Sequence, residues 1–268
     1  MMNCSTIPER EQPSMDKRLQ TQLNIDMGQL CLSTARKRYS ELAEEARKES
    51  LSYEKYLFSV LDTECDARRT RKIERWLKQS KLPLEKSMET FDLKRLPNKL
   101  RHQVNTLVES DFLERNENVL VFGNPGSGKT HLTCAIGQQL IKQEKRVYFS
   151  TCAMFVQELL LAKRELNLPK VFKKLNKFNA IIIDDIGYVQ QNKEEMEVLF
   201  TLLAERYERG SVMITSNLPF SKWEQIFKDP MMTAAAIDRI VHHSVILELN
   251  IPSYRMNIAK GRKNKERR

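Results

Sequence analysis

Apolar positions return along this chain with two different rhythms. Up to about residue 80 the rhythm is helical. Leu30, Thr34, Tyr39, Leu42 and Ala46 lie near one face of a helix predicted from about Met27 to Glu49. A second helix, capped by Ser52, carries Tyr53, Tyr56, Leu57, Val60, Leu61 and Trp76 and runs to Gln79, ahead of Pro83. No strand candidate precedes residue 118, so this part reads as all-α. After residue 115, short apolar runs alternate with helical patterns. Strands are predicted at Val119–Phe122, Val147–Ser150, Ala180–Ile183, Val212–Thr215 and Val245–Leu249, with helices from Lys129, near Ala153–Leu166 and near Glu194–Arg209, and helical segments up to Val241. Five strands alternating with helices predict an α/β fold with a mostly parallel five-stranded sheet. The expected organisation is a mobile tail over 1–15, a small all-α N-terminal domain over 16–82, a linker over 83–98, an α/β domain over 99–256 and a basic tail over 257–268. Phe91 and Leu93 are the linker's docking candidates.

Composition narrows the class. No apolar run approaches the roughly 20 residues that span a bilayer, and residues 1–13 lack an apolar signal core. Membrane channels, collagens and secreted scaffolds are excluded. The five cysteines (Cys4, Cys31, Cys65, Cys134 and Cys152) form no C-x-x-C pair, which suits a reducing cytoplasm better than a disulfide or zinc framework. The net charge of +10 is unevenly spread: +4 over residues 1–100, zero over 101–253 and +6 over 254–268. Arg68, Arg71, Lys72, Arg75 and Lys78 recur at spacings of three and four, one basic stripe on a helix. Such a stripe either stays solvated or neutralises phosphates of a nucleic acid. Two basic flanks around a neutral centre favour the second reading. The bulk of Trp76 and Trp223 suits packing more than base stacking.

The chemistry concentrates in two motifs. Gly123, Asn124, Pro125, Gly126, Ser127, Gly128, Lys129 and Thr130 fit G-x-x-x-x-G-K-[ST] in full, between a predicted strand and a predicted helix. Glycines let the backbone turn its N–H groups inward around phosphate, and the helix N-terminus adds to their field. Lys129 can reach the β- and γ-phosphates, and Thr130 offers its hydroxyl to Mg²⁺. Further on, Ala180–Ile183 runs as a buried strand into Asp184 and Asp185. At the C-terminal end of a parallel strand these acids face the ligand crevice. Asp184 is the expected holder of Mg²⁺, and Asp185 the expected acid that polarises the attacking water. The cofactors implied are ATP and Mg²⁺.

With both motifs in place, the chain resembles the AAA+ ATPases, and most closely their IstB/DnaC branch. Residues 123–132, which add His131 and Leu132 to the phosphate loop, resemble that branch's loop. Residues 183–188 resemble its second motif, 214–223 its sensor 1 segment, and 237–243 and 253–255 its late arginine motifs. The resemblance covers about residues 110–256 and implies an AAA+ ATPase core. It implies that Asn217, which follows a strand into the crevice, is the sensor 1 residue beside the γ-phosphate. It also implies that Arg239 is an arginine finger given to a neighbouring subunit and that Arg255 is the sensor 2 arginine. Read from the residues alone, Arg239 can instead pair with Asp238, and Arg255 can simply open the basic tail. Asp185 stands where many relatives carry glutamate, which predicts slow turnover. The three histidines His131, His242 and His243 have no carboxylate or cysteine at ligand spacing, which leaves helix packing or DNA contact.

The expected function is that of a DNA-transposition helper ATPase. It is expected to bind ATP, self-associate on duplex DNA, deform that DNA as a target, and regulate the transposase of the same insertion sequence. A DnaC-like loader of a replicative helicase is the alternative, and a small-molecule P-loop kinase a third reading. The residues 218–223 and the paired His242 and His243 favour the transposition helper.

Overall fold

The computed structural model describes residues 17–187, 193–227 and 229–254. The expected tails over 1–15 and 257–268, and Arg255, lie outside the described residues. The chain divides into two compact units at Lys72/Ile73, ahead of the boundary expected at residue 82.

The first unit contains α1 (Lys17–Gln29), α2 (Ala35–Lys48) and most of α3 (Tyr53–Gln79). The hydrophobic spacing predicts one helix from Met27 to Glu49, but the chain turns between Leu30 and Thr34, with Cys31 in the left-handed region (φ 57°). The cause lies elsewhere in the sequence. The buried carboxylate of Glu64, on α3, accepts the N–H groups of Thr34 (2.6 Å) and Ala35 (3.0 Å). It thereby satisfies two orphan donors at the start of α2 and fixes a new helix there. Ala35, Tyr39 and Val60 form the small core, and the Tyr56 hydroxyl donates to Tyr39 O (3.1 Å).

The second unit opens with the end of α3 and the segment 80–97, which includes a 3₁₀ turn, Leu93–Arg95. Then follow α4 (Asn98–Val108), α5 (Asp111–Glu114), β1 (Asn118–Gly123), α6 (Lys129–Lys142), β2 (Val147–Thr151), α7 (Cys152–Arg164) and α8 (Leu168–Leu175). The chain continues through β3 (Ala180–Ile186), α9 (Lys193–Arg206), β4 (Ser211–Ser216), α10 (Glu224–Phe227), α11 (Pro230–Val241) and β5 (Ser244–Leu249). The strands form one five-stranded sheet in the order β2-β3-β4-β1-β5, and every pairing is parallel.

Both faces of the sheet are covered, so its strands are mostly apolar. Leu120, Ile181, Ile183, Val212 and Ile214 face a core shared with α7, α9 and α11. Their alternates Val119, Val121, Ile182, Met213 and Leu247 face a core shared with α4 and α6. The segment 80–97 packs on this second face through Leu82, Phe91, Leu93 and Leu96. There the buried Gln138 on α6 donates to the carbonyls of Pro83 (3.1 Å), Leu84 (3.3 Å) and Lys86 (3.1 Å). Buried Arg206 ties the starts of β3 and β4 together. Its guanidinium donates to the carbonyls of Phe178 (3.0 Å), Asn179 (3.2 Å) and Ser211 (3.1 Å), and burial lowers its pKa to about 10. These two strands carry half of the candidate site at their other ends.

Candidate nucleotide-binding site

The residues between β1 and α6 form the loop that the sequence predicts. Gly126 (φ 80°) and Gly128 (φ 101°) take backbone conformations that side chains disfavour. A Cβ at Gly126 would run into Ser253 Oγ, and one at Gly128 would lie 3.2 Å from the Phe91 ring. Lys129 is buried at the first position of α6. Its ammonium donates to the carbonyls of Gly123 (2.8 Å) and Asn124 (3.2 Å). Ser127 is buried too, and its hydroxyl has no hydrogen-bond partner among the described residues. A polar atom left so in the middle of a glycine cradle fits an anionic ligand such as phosphate.

The two aspartates end β3. Asp184 is buried, and its Oδ1 accepts the Thr215 hydroxyl (2.7 Å). Asp185 is half-buried with φ 64°, at a break in the β3–β4 register between Ile183 and Ile186. Burial raises the pKa of its carboxyl, the neighbouring Asp184 raises it further, and the Lys129 charge opposes both. Lys129 thus acts electrostatically on the acid assigned to water. Thr130 and Asp184 together offer a hydroxyl and a carboxylate. That is the small protein share with which Mg²⁺ is held when phosphates supply the rest, and the donor set fits the ion.

Asn217 follows β4 and is half-buried, with Oδ1 lacking a partner among the described residues. It lines a cleft of about 330 Å³ together with Gly123, Asn124, Phe122 and Phe220. Phe122, Phe220 and buried Trp223 pack their rings against one another, with centroids 4.6 to 6.3 Å apart. This joins the strand leading into the phosphate loop to the segment that follows Asn217. Loop, aspartates and Asn217 are therefore brought together at the C-terminal edge of the sheet.

Other predicted residues are placed differently. His131 turns its ring to the segment before α4: Nε2 lies 3.0 Å from Ser87 O and 3.1 Å from Thr90 Oγ1, and the ring meets Phe91 edge-on. Arg239 is half-buried on α11, with its guanidinium 4.7 Å over the Phe200 ring of α9. Arg255 lies outside the described residues, but the residues before it reach the loop, where Tyr254 N donates to Gly126 O (3.0 Å). Arg95 holds this segment, bonding Pro252 O and stacking 5.0 Å over Tyr254. Of the basic stripe, Arg68 and Arg71 bond the Glu64 carboxylate (2.9 and 3.4 Å), while Arg75 and Lys78 are exposed. Sequence reasoning passed over Thr90 and Arg95, and it took in Thr215 and Tyr254 only as members of the 214–223 and 253–255 segments, with no role of their own. No spacing rule marks them, because each acts across a long sequence separation.

The family profile described as IstB-like ATP binding protein matches residues 25–262. The chain belongs to that family. The chain is similar to an insertion sequence ATP-binding protein of Sinorhizobium fredii, 41% identical over 90% of this chain and 81% of the relative. Another insertion sequence ATP-binding protein, from Geobacillus stearothermophilus, is 34% identical over 89% of this chain and 95% of its own length. Among solved structures, the DnaC helicase loader has a TM-score of 0.55 at 19% identity, covering 63% of this chain and 98% of its own. The AMPPCP-bound DnaA of Aquifex aeolicus has a TM-score of 0.55 at 16% identity, covering 69% of this chain and 56% of its own. These likenesses are of fold, in keeping with the expected α/β class with a five-stranded parallel sheet.

Proposed function

We propose that this chain is an ATP-hydrolysing helper of DNA transposition, which assembles on duplex DNA and regulates the transposase of its own insertion sequence in the cytoplasm. The observation that carries the ATPase part is the convergence of Lys129, the Asp184–Asp185 pair and Asn217 on one edge of the parallel sheet. The transposition part rests on the relatives that match most of the chain, which are named as insertion sequence proteins. The likeness to the helicase loader is one of fold. No helix among the described residues is long and apolar enough to cross a membrane.

In this reading the loop N–H groups and Lys129 bind the phosphates, and Asn217 orients the terminal one. Thr130 and Asp184 hold Mg²⁺, which neutralises charge on the β- and γ-phosphates when bound. Asp185 accepts a hydrogen bond from the water in line with the γ-phosphate and so polarises it. Arg239 and Arg255 supply positive charge, Arg239 across a subunit boundary. The test is hydrolysis by the full chain with duplex DNA, with single strands and with neither, alongside co-purification with the adjacent transposase. Stimulation by duplex and capture of the transposase support the reading. Stimulation by single strands, with capture of a replicative helicase, would replace it with the loader.

A further inference from the structure

We infer that Thr215 is a positioning residue for hydrolysis, one hydroxyl that sets where Asp184 and Asp185 stand. The inference rests on the proposed reading of Asp185 as the acid that polarises water. Thr215 lies inside β4, fully buried, within the segment that resembles sensor 1 but with no role assigned there beyond that of an ordinary β-branched strand residue. Its neighbours on β3 are not ordinary. Ile183 pairs with Ile214 and Ile186 pairs with Ser216, so two residues of β3 stand opposite the single residue Thr215. This is a β-bulge, which takes a backbone donor out of the ladder and re-aims a side chain. The displaced donor is Asp185 N–H, and Thr215 Oγ1 accepts it at 2.8 Å. The same oxygen carries one proton, which it donates to Asp184 Oδ1 at 2.7 Å.

The directions of these two bonds are fixed by chemistry. An amide nitrogen can only donate, so the hydroxyl must be the acceptor there. Its own proton is then left for the carboxylate. One group therefore fixes the bulge that holds Asp185 at φ 64° and orients the carboxylate of Asp184. A residue held in the left-handed region needs surroundings that over-determine it, and here the hydroxyl supplies that constraint. Thr215 does this from the strand that leads to Asn217. The water-polarising acid, the metal-holding acid and the phosphate sensor are thereby set against one another by a single strand.

The experiment uses two substitutions with opposite losses. Thr215→Val keeps the branched shape and removes the hydroxyl. Thr215→Ser keeps the hydroxyl and removes the methyl group. Positioning predicts that T215V lowers kcat for ATP by about 10- to 100-fold, the usual size of an outer-layer loss, with KM and nucleotide affinity within about threefold of the parent. T215S should stay within about threefold in all three. The inference is overturned if T215V keeps the parental kcat or if T215S falls as far as T215V. It is equally overturned if T215V loses nucleotide affinity while T215S keeps it, since the hydroxyl would then support binding and not hydrolysis. Parental hydrolysis by D185N alone would instead sink the underlying reading of Asp185, a separate result.

Discussion

Lys129 and Asp185 are the residues on which the proposed chemistry turns, and their surroundings make different demands on each. The Lys129 ammonium is buried against the carbonyl oxygens of Gly123 and Asn124, so it is held at the loop by the loop itself. Lys129→Ala removes that positive charge from the loop. Charge-assisted bonds to phosphate of this kind support a loss in ATP affinity of about 100-fold, measurable by titration calorimetry; an unchanged affinity would contradict the site. Asp185→Asn keeps shape and removes the carboxylate. Binding should persist while hydrolysis stops, as read by phosphate release at saturating ATP. The pH dependence follows from the same carboxyl. Burial and Asp184 raise its pKa above the ordinary 3.8, and only the ionised form can accept a proton from the attacking water. Hydrolysis should therefore be full at higher pH and fall as pH drops through a pKa above 3.8, with the acid limb of kcat/KM, which reports the free enzyme, marking it. A limb at or below the ordinary aspartate value would place the essential acid elsewhere.

Helices and strands differ in how much of their position could be read in advance. The strands were legible because each is a short, continuous apolar run between turn signals, and the phosphate loop because its glycines and lysine have fixed spacing. Two features were not legible. The break between α1 and α2 has only Gly28, inside the last turn of α1, to announce it; a new helix starts at Ala35 because Glu64 accepts the N–H groups of Thr34 and Ala35 from a helix thirty residues away. The bulge at Asp185 depends on the Thr215 hydroxyl, again from another strand. Glu64 gives the element-level prediction. Burial alone would raise its pKa, but the bonds from Ala35 N, Arg68 and Thr34 N outweigh it and hold the carboxyl at about 2, below the ordinary 4.5. A depressed carboxyl pKa stabilises the fold fully above about pH 4.5, and that contribution is lost as pH falls from there through about 2. Glu64→Gln should destabilise the first unit by about 1–3 kcal/mol at neutral pH and remove this acid-dependent component. Circular dichroism melts at several pH values would read both effects, and a variant as stable as the parent would remove Glu64 from the role of cap.

At the scale of the whole molecule, the two proposed surfaces are one for DNA and one for a second copy of the chain. Arg68 and Arg71 already serve Glu64, so a DNA test is cleanest at the exposed Arg75 and Lys78. Changing both to alanine should weaken DNA binding evenly across sequences and reduce the salt slope by about one unit per lost phosphate contact; an unchanged slope would leave this part of the stripe as solvated surface. The second copy concerns Arg239. The loop, the aspartates and Asn217 come from β1, α6, β3 and β4, whereas Arg239 sits on α11 with its guanidinium over Phe200. If it completes the site of a neighbour, the contact is head-to-tail, and each interface takes its acid from one chain and its arginine from the next. Arg239→Ala protein should then bind ATP like the parent but fail in DNA-stimulated hydrolysis. D185N protein should fail as well, for the opposite reason. In an equal mixture, about one interface in four pairs an intact Asp185 with an intact Arg239, so activity should return to a fraction of the parental rate that neither variant reaches alone. The recovery should depend on total protein concentration, because it requires assembly. An Arg239 that serves only its own chain, by packing on Phe200, predicts no recovery at any ratio.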